Sequence, residues 1–426
     1  MLDIKRIIEN PEETQEMMKY RGVEVNLQEI IDLDNSRRET IQKVEALKQE
    51  RNDKSKQVGR IKKEGGGAAE IIESMREIND QIKALDANQK NIERDIKLRI
   101  ELLPNIIHET TPRSMDKADN QVLETVGEKP EFDFEFKNHV DLARDLDIID
   151  FEAGGRIAGN NFVVYKGLGA RLEWALLFYM MHVNSVEGPY QLIVPPALVN
   201  GEGFYASGQL PKFADQAYKC EGDDLYLIPT SETVLLNMHR DQILKEDDLP
   251  ILYTACTPCF RREAGTYGAE ERGLIRVHQF NKCELFKFTK PEQSYDELEK
   301  MKEDARKVLD PLGLHYQVCL LVSIDLGQQS SKTYDIEVWL PGQDEYKEIS
   351  SVSNCEDYQA RRGNIRYRET ESKKVRFVHT LNGSALATPR LMVAILEQYQ
   401  QSDGSVLIPD ALKPYMGGVE KIKNGD

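Results

Sequence analysis

Between residues 27 and 103 the chain repeats apolar residues at the spacing of paired helices, and no other feature constrains its fold as tightly. Ile71, Met75, Ile78, Ile82, Leu85, Ile92, Ile96 and Leu103 follow alternating steps of four and three, interrupted at Gln89 and Arg99. An upstream set, Ile30, Leu33, Ile41, Val44, Leu47, Val58 and Ile61, is looser. Gly65–Gly66–Gly67 separates the two sets, and such a run breaks a helix. Two amphipathic helices joined by a short break predict an antiparallel coiled-coil hairpin. At about 1.5 Å per residue, helices of about 35 residues would project roughly 50 Å.

Pro104 ends the second helix. Thr111–Pro112 and Arg113–Asn120 read as a polar linker, so the expected division is an arm over 1–104, a linker over 105–120 and a second domain over 121–426. In that domain short strand-like runs (Phe162–Tyr165, Gln191–Val194, Leu225–Ile228, Leu274–Phe280, Leu285–Phe288, Thr333–Leu340, Val375–His379) mix with helical stretches (Arg144–Phe151, Ala170–Val183, Ser294–Leu309, Thr388–Gln401). Strands and helices do not alternate strictly. The expectation is an α+β fold with a mixed, mostly antiparallel sheet flanked by helices.

The formal net charge of −17 taken alone argues against nucleic acid, because phosphate binding runs on Lys and Arg. Residues 48–63 are the exception. Lys48, Arg51, Lys54, Lys56, Arg60, Lys62 and Lys63 face only Glu50 and Asp53, a local balance of +5 near the tip of the expected hairpin. A solvated helix face is the plain alternative. The sequence has no apolar run of about 18 residues and no apolar core of a signal peptide near Met1. No transmembrane helix and no membrane partner are therefore expected, and six cysteines, which do not make a disulfide framework, suit a reducing cytoplasm.

Residues 260–284 concentrate the chemistry. Phe260–Arg261–Arg262–Glu263, the turn-like stretch Ala264–Gly273, then Arg276, His278–Gln279–Phe280 and Glu284 predict a hairpin able to hold a nucleotide triphosphate beside a small zwitterion. Arg261 and Glu263 would share one strand face. A fixed guanidinium grips phosphate bidentately, and Phe280 would stack on a purine. The plain alternative is a strand pair with surface ion pairs and a core Phe.

Further pieces carry a resemblance. Gly188–Pro189–Tyr190 through Pro195–Pro196, Phe260–Glu263 with its return to Phe280, and Ala387–Thr388–Pro389–Arg390 are similar, in order, to motifs 1, 2 and 3 of class II aminoacyl-tRNA synthetases. With Thr230–Ser231–Glu232, Arg276–Phe280, Thr380–Ala385 and the hairpin, the chain resembles the bacterial-type seryl-tRNA synthetases from end to end. Two positions depart from the pattern: Pro189 stands where motif 1 usually carries glycine, and Arg262 is at an outward position that tolerates several residues.

The resemblance implies a homodimeric serine–tRNA ligase that makes seryl-adenylate from L-serine and ATP, then charges tRNA(Ser), with tRNA(Sec) as a possible second acceptor. It implies that Arg261, Glu263, Arg276 and Arg390 carry catalysis. Thr230, Ser231, Glu232, Glu284, Asn382 and Ser384 would hold serine. Arg261, Arg262, Glu263, Val277, Phe280, Glu348, Ile349, Ser350, Ser351 and Arg390 would hold ATP. Glu348 and Ser351 would coordinate Mg²⁺, and the basic residues from Lys48 to Lys63 would grip the long variable arm of the tRNA.

Other signals are weaker. Cys256 and Cys259 have CxxC spacing, but Cys283 has no adjacent partner, so no structural zinc is expected. Gly167-x-Gly169 is half a dinucleotide fingerprint without its strand–helix context. A paralogue charging a carrier protein would be expected to lack the basic arm. A non-catalytic RNA-binding module would have no need of Arg261, Glu263, Glu284, Glu348 and Arg390 together.

Overall fold

A computed structural model describes residues 1–264 and 272–425, so most of the turn expected at Ala264–Gly273 lies outside the described residues. The chain divides into two compact units, Leu2–Pro104, and Asn105–Asp426 together with Met1.

The first unit is built on two long antiparallel helices, α1 (Leu27–Lys63) and α2 (Ala69–Ile100). Asn26 starts α1 by accepting the Gln28 N–H on its side chain. Val44, Ile78 and Ile82 form a buried seam with Leu47 and Leu85 against it. Ile71, Met75 and Ile92, also predicted for the seam, are half-buried. The seam of α1 runs on through Val44, Leu47, Arg51, Lys54, Val58 and Ile61 in steps of three and four. Two of the seven basic residues therefore turn inward. Arg51 donates to Asn79 at 3.3 Å, and Lys54 reaches Ser74 at 2.5 Å and Glu50 at 2.8 Å. Lys48, Lys56, Arg60, Lys62 and Lys63 stay exposed.

The second unit is organised by an eight-stranded sheet: β1 (Gln121–Val126), β2 (Gln191–Leu192), β3 (Ile251–Phe260), β4 (Gln279–Thr289), β5 (Tyr316–Leu320), β6 (Lys332–Leu340), β7 (Glu345–Asn354) and β8 (His379–Ala387). Their spatial order is β1-β5-β6-β7-β8-β4-β3-β2. Every pairing is antiparallel except β2 with β3, which matches the expected mixed, mostly antiparallel sheet. Helices α3 (His139–Asp145), α4 (Gly167–His182), α5 (Ser294–Leu309) and α6 (Thr388–Gln398) cover it, and their apolar faces join the sheet in one core. α4 buries Leu172, Leu176 and Met180 but leaves Trp174 and Phe178 more than half exposed; Val186 and Val194 beyond it are also exposed.

Two local expectations fail. The predicted helix Arg144–Phe151 is broken at Asp147, which adopts φ 54°, a conformation that ends a right-handed helix. A new helix, Phe151–Ala158, starts where Asp150 caps the Ala153 N–H. The predicted strand Leu274–Phe280 begins only at Gln279. Leu274 and Val277 are apolar because they are buried, not because they alternate in a ladder. The Gly167-x-Gly169 pair also has a packing cause: a Cβ at Gly169 would lie 2.3 Å from the Ile148 carbonyl oxygen.

Candidate active site

Two adjoining cavities of about 460 and 240 Å³ open on the β3–β4 hairpin and share Arg261, Glu263, Lys282, Glu348 and Ser384. The larger is acidic at its inner end. Register places Glu284 of β4 opposite Ala255 of β3 and Ser384 of β8. Glu232 opens the short helix Glu232–Asn237 two residues after Thr230, and Asn382 lies two residues before Ser384 on β8. All five line the cavity, and each is at least nine-tenths buried.

Glu232 takes three hydrogen bonds on one oxygen, from Gln359 at 2.5 Å, Asn382 at 3.1 Å and Gln329 at 3.4 Å. Burial, and next the negative charge of Glu284, push its carboxyl up to about 7, against the lowering pull of Gln359, Lys282 and Gln329. The Thr230 hydroxyl donates to Glu284 at 3.2 Å. The inner end thus offers two carboxylates and a hydroxyl, a receptor for a small ammonium-bearing alcohol.

The smaller cavity is flanked by Phe280, Arg276, Val277, Ile349 and Arg390. The Arg261 guanidinium stands 5.3 Å from the centroid of Phe280. β3 ends at Phe260, so Arg261 and Glu263 do not share a strand face as expected. Glu263 instead takes φ 46° and accepts from Arg276 at 2.6 Å, and this turn delivers both residues to the cavities. Arg390, one residue into the Pro389 start of α6, donates to the Glu348 carbonyl at 2.6 Å and the Ile275 carbonyl at 3.3 Å.

Glu348 and Ser351 are three apart on β7, a spacing that puts side chains on opposite faces of a regular strand. The register against β6 slips at Ile349, so Ser351 pairs with Asp335 and Glu348 with Glu337. That bulge turns Glu348 and Ser351 to the same cavity. Behind them Asp335 keeps one buried oxygen unpartnered, and burial followed by the Glu348 charge raises its carboxyl well above the usual range. A carboxylate, a hydroxyl and a second carboxyl group are hard oxygen donors that suit Mg²⁺.

Three expected site residues do not converge. Arg262 turns its guanidinium to the Asp215 carbonyl at 3.3 Å. Ser231 is fully buried and bonds Thr257 at 2.7 Å. Ser350 is buried and donates to the Ser384 carbonyl at 2.5 Å. None of the three lines either cavity. Among the cysteines, Cys256 sits opposite Cys283 across β3–β4, while Cys259 is buried and three residues along, on the other face.

Residues 217–399 match the tRNA synthetase class II core domain (G, H, P, S and T), and residues 1–107 match the seryl-tRNA synthetase N-terminal domain. A serine–tRNA ligase of Geotalea uraniireducens is 51% identical over 99% of this chain and 100% of its own. The chain belongs to the seryl-tRNA synthetase family. A crystal structure of seryl-tRNA synthetase from Pyrococcus horikoshii complexed with ATP superposes with a TM-score of 0.95 at 36% identity, covering all of both chains. The cytoplasmic serine–tRNA ligase of Naegleria fowleri, in complex with AMP, gives 0.89 at 32% identity over 100% of this chain and 99% of that one.

In this member of the seryl-tRNA synthetase family, sequence reasoning missed two groups. Lys282 lines both cavities; its ammonium sits 2.8 Å from the Thr230 hydroxyl and 2.5 Å from Glu284. Its place in the β4 alternation, two before Glu284, was the available signal. The second group is His139 with Glu397. The His139 Nδ1 bonds Glu397 at 2.8 Å while its Nε2 accepts the Leu274 N–H at 3.2 Å, which fixes the proton on Nδ1. The other Glu397 oxygen accepts the Gly342 N–H at 2.8 Å. This strut ties α3, α6 and the β6–β7 turn to the start of the 274–278 segment. A Cβ at Gly273, where φ is 70°, would lie 2.3 Å from the His139 Nε2.

Proposed function

We propose that the chain activates L-serine with ATP and transfers it to the 3′ end of tRNA(Ser). The observation that carries this reading is the acidic, hydroxyl-bearing pocket of Thr230, Glu232 and Glu284 opening onto a chamber with one arginine–aromatic pair, Arg261 and Phe280. Glu284 and Glu232 receive the serine ammonium and hydroxyl, with Thr230, Asn382 and Ser384 closing the pocket. Phe280 and Arg390 sandwich adenine, Glu263 orients the adenosine and Arg276 folds the triphosphate. Arg261 holds the α-phosphate and offsets the charge that develops as a serine carboxylate oxygen attacks phosphorus and pyrophosphate leaves. In-line positioning supplies most of the rate. Lys282 neutralises Glu284 in the free enzyme and is placed to meet the serine carboxylate.

Glu348 and Ser351 would hold Mg²⁺, which supplies positive charge to the triphosphate when bound. Serine is chosen over alanine because alanine would leave Glu232 and its partners without a hydroxyl, a discrimination of up to ~10⁴. Residues 1–104 grip the tRNA through the exposed Lys48, Lys56, Arg60, Lys62 and Lys63; a heptad-spaced exposed row on α2, Arg76, Lys83, Lys90 and Lys97, adds to that charge. Residues 121–426 catalyse, joined through 105–120. Trp174, Phe178 and Val194 suit burial against a second copy, which supports a homodimer. Six unpaired cysteines suit a reducing cytoplasm, and no helix among the described residues is long and apolar enough to cross a membrane.

Incubation with labelled serine, ATP and total tRNA tests the reading. Acid-precipitable label that depends on ATP and tRNA is expected. Label on a carrier protein instead, or none, refutes it.

A further inference from the structure

The serine pocket fills only the inner end of the larger cavity. The rest of its wall includes Phe204, Gln209, Phe213, Gln216, Gln328 and Gln329. Most of this wall is committed to the fold. Phe204 is buried and stacked on Tyr226, with ring centroids 4.7 Å apart. Gln216 clasps both the N–H and the carbonyl of Ala264, at 3.0 and 3.2 Å. Gln328 accepts from Lys212 at 2.6 Å, and Gln329 donates to Glu232. Two groups remain. The Phe213 ring is half-exposed, with the Lys212 ammonium 5.7 Å from its centroid, and Gln209 is, among the described residues, the one wall glutamine whose amide has no hydrogen-bond partner.

These two are held side by side. The Phe213 N–H donates to the Gln209 carbonyl at 2.8 Å, closing a turn. Arg362 pins that turn through the Leu210 carbonyl at 2.8 Å, and the Arg262 N–H holds its far end through the Gln216 carbonyl at 3.1 Å. An aromatic face beside a free amide, on a fixed backbone, is the equipment that reads a nucleobase by stacking and edge hydrogen bonds.

The order of the reaction says which base. Resting on the function proposed above, AMP stays in the smaller cavity while serine is transferred. The acceptor is then left the larger cavity in which to meet the serine carbonyl. We propose that Phe213 and Gln209 form the seat of the 3′-terminal nucleoside of the tRNA during transfer. Seated there, the ribose presents a hydroxyl oxygen to the serine carbonyl carbon. The new ester C–O bond forms, the carbonyl C–O bond to phosphate breaks, and its electron pair and the hydroxyl proton leave with AMP. This also gives Arg262 a use: it braces the seat from behind rather than touching ATP.

The test compares tRNA(Ser) transcripts with and without the terminal nucleoside, by equilibrium binding to the full-length protein and by single-turnover transfer from preformed seryl-adenylate. Wild type should bind the complete transcript more tightly than the truncated one. Phe213→Ala and Gln209→Ala should erase that difference. Phe213→Ala should slow transfer about ten-fold or more, the usual effect of losing one base stack, and Phe213→Trp should restore it. An undiminished difference in Phe213→Ala overturns the seat. So does a parallel fall in serine-dependent pyrophosphate exchange, a step without tRNA, because the ring would then belong to activation. A wild type that makes seryl-adenylate but shows no preference for the complete transcript also overturns the seat while leaving activation standing; one that makes no adenylate overturns the function itself.

Discussion

Glu232→Gln should stabilise the free protein while it destroys serine use. The carboxyl of Glu232 is buried beside Glu284 and rises from its usual 4.5 to about 7. A group that holds its proton more tightly when folded stabilises the fold at low pH and loses that contribution as pH climbs through 4.5 to 7. The interval corresponds to about 3 kcal/mol at pH 8, where wild type must ionise Glu232 in place. Glutamine keeps an oxygen for Gln359, Asn382 and Gln329 and carries no charge. Unfolding of the ligand-free proteins should therefore show little difference near pH 5 and a higher melting temperature for Glu232→Gln at pH 8. Added serine should raise the melting temperature of wild type alone, because only a binding-competent fold gains from ligand. A variant destabilised equally at both pH values would refute the argument, since Glu232 would then be a net support of the fold rather than a strained binding group.

Three further outcomes follow from the same geometry. Lys282→Met strands Glu284 as an unpaired buried carboxylate and should cost about 3–5 kcal/mol in denaturant unfolding; Glu284→Gln added to it should recover much of that stability without recovering serine-dependent exchange. His139→Ala leaves the Glu397 carboxylate and the Leu274 N–H without their partner, at about 3 kcal/mol, and should raise the KM for ATP because Leu274 leads directly into Ile275 and Arg276 of the nucleotide chamber. Replacing Lys56, Arg60 and Lys63 together by alanine should flatten the salt dependence of tRNA binding by about 2 in the log–log slope, measured by titration across ionic strengths.

How far the sequence reveals this molecule depends on the range over which each feature is specified. The arm is local: heptad steps show its two helices, although Arg51 and Lys54, grouped with the basic face in the sequence, turn into the seam. The sheet class was legible from the mixture of strand and helix patterns, but strand limits were not, because Leu274, Ile275 and Val277 are apolar for burial rather than for pairing. Resemblance supplied most cavity residues, yet it could not see which neighbours turn inward. Ser231 and Ser350 stand beside true lining residues and face the core. The pairing of Glu348 with Ser351 depends on a bulge at Ile349 that no spacing rule contains. The His139–Glu397 strut joins residues 258 positions apart and leaves no local trace at all.

The central claim is that Arg261 serves a serine-specific adenylation centre. Pyrophosphate exchange, measured without tRNA across the amino acids for wild type and Arg261→Ala, tests it most directly. The account predicts exchange with serine, little with alanine or threonine, and none in Arg261→Ala. Serine-dependent exchange that survives Arg261→Ala, or exchange driven by a different amino acid, would contradict it.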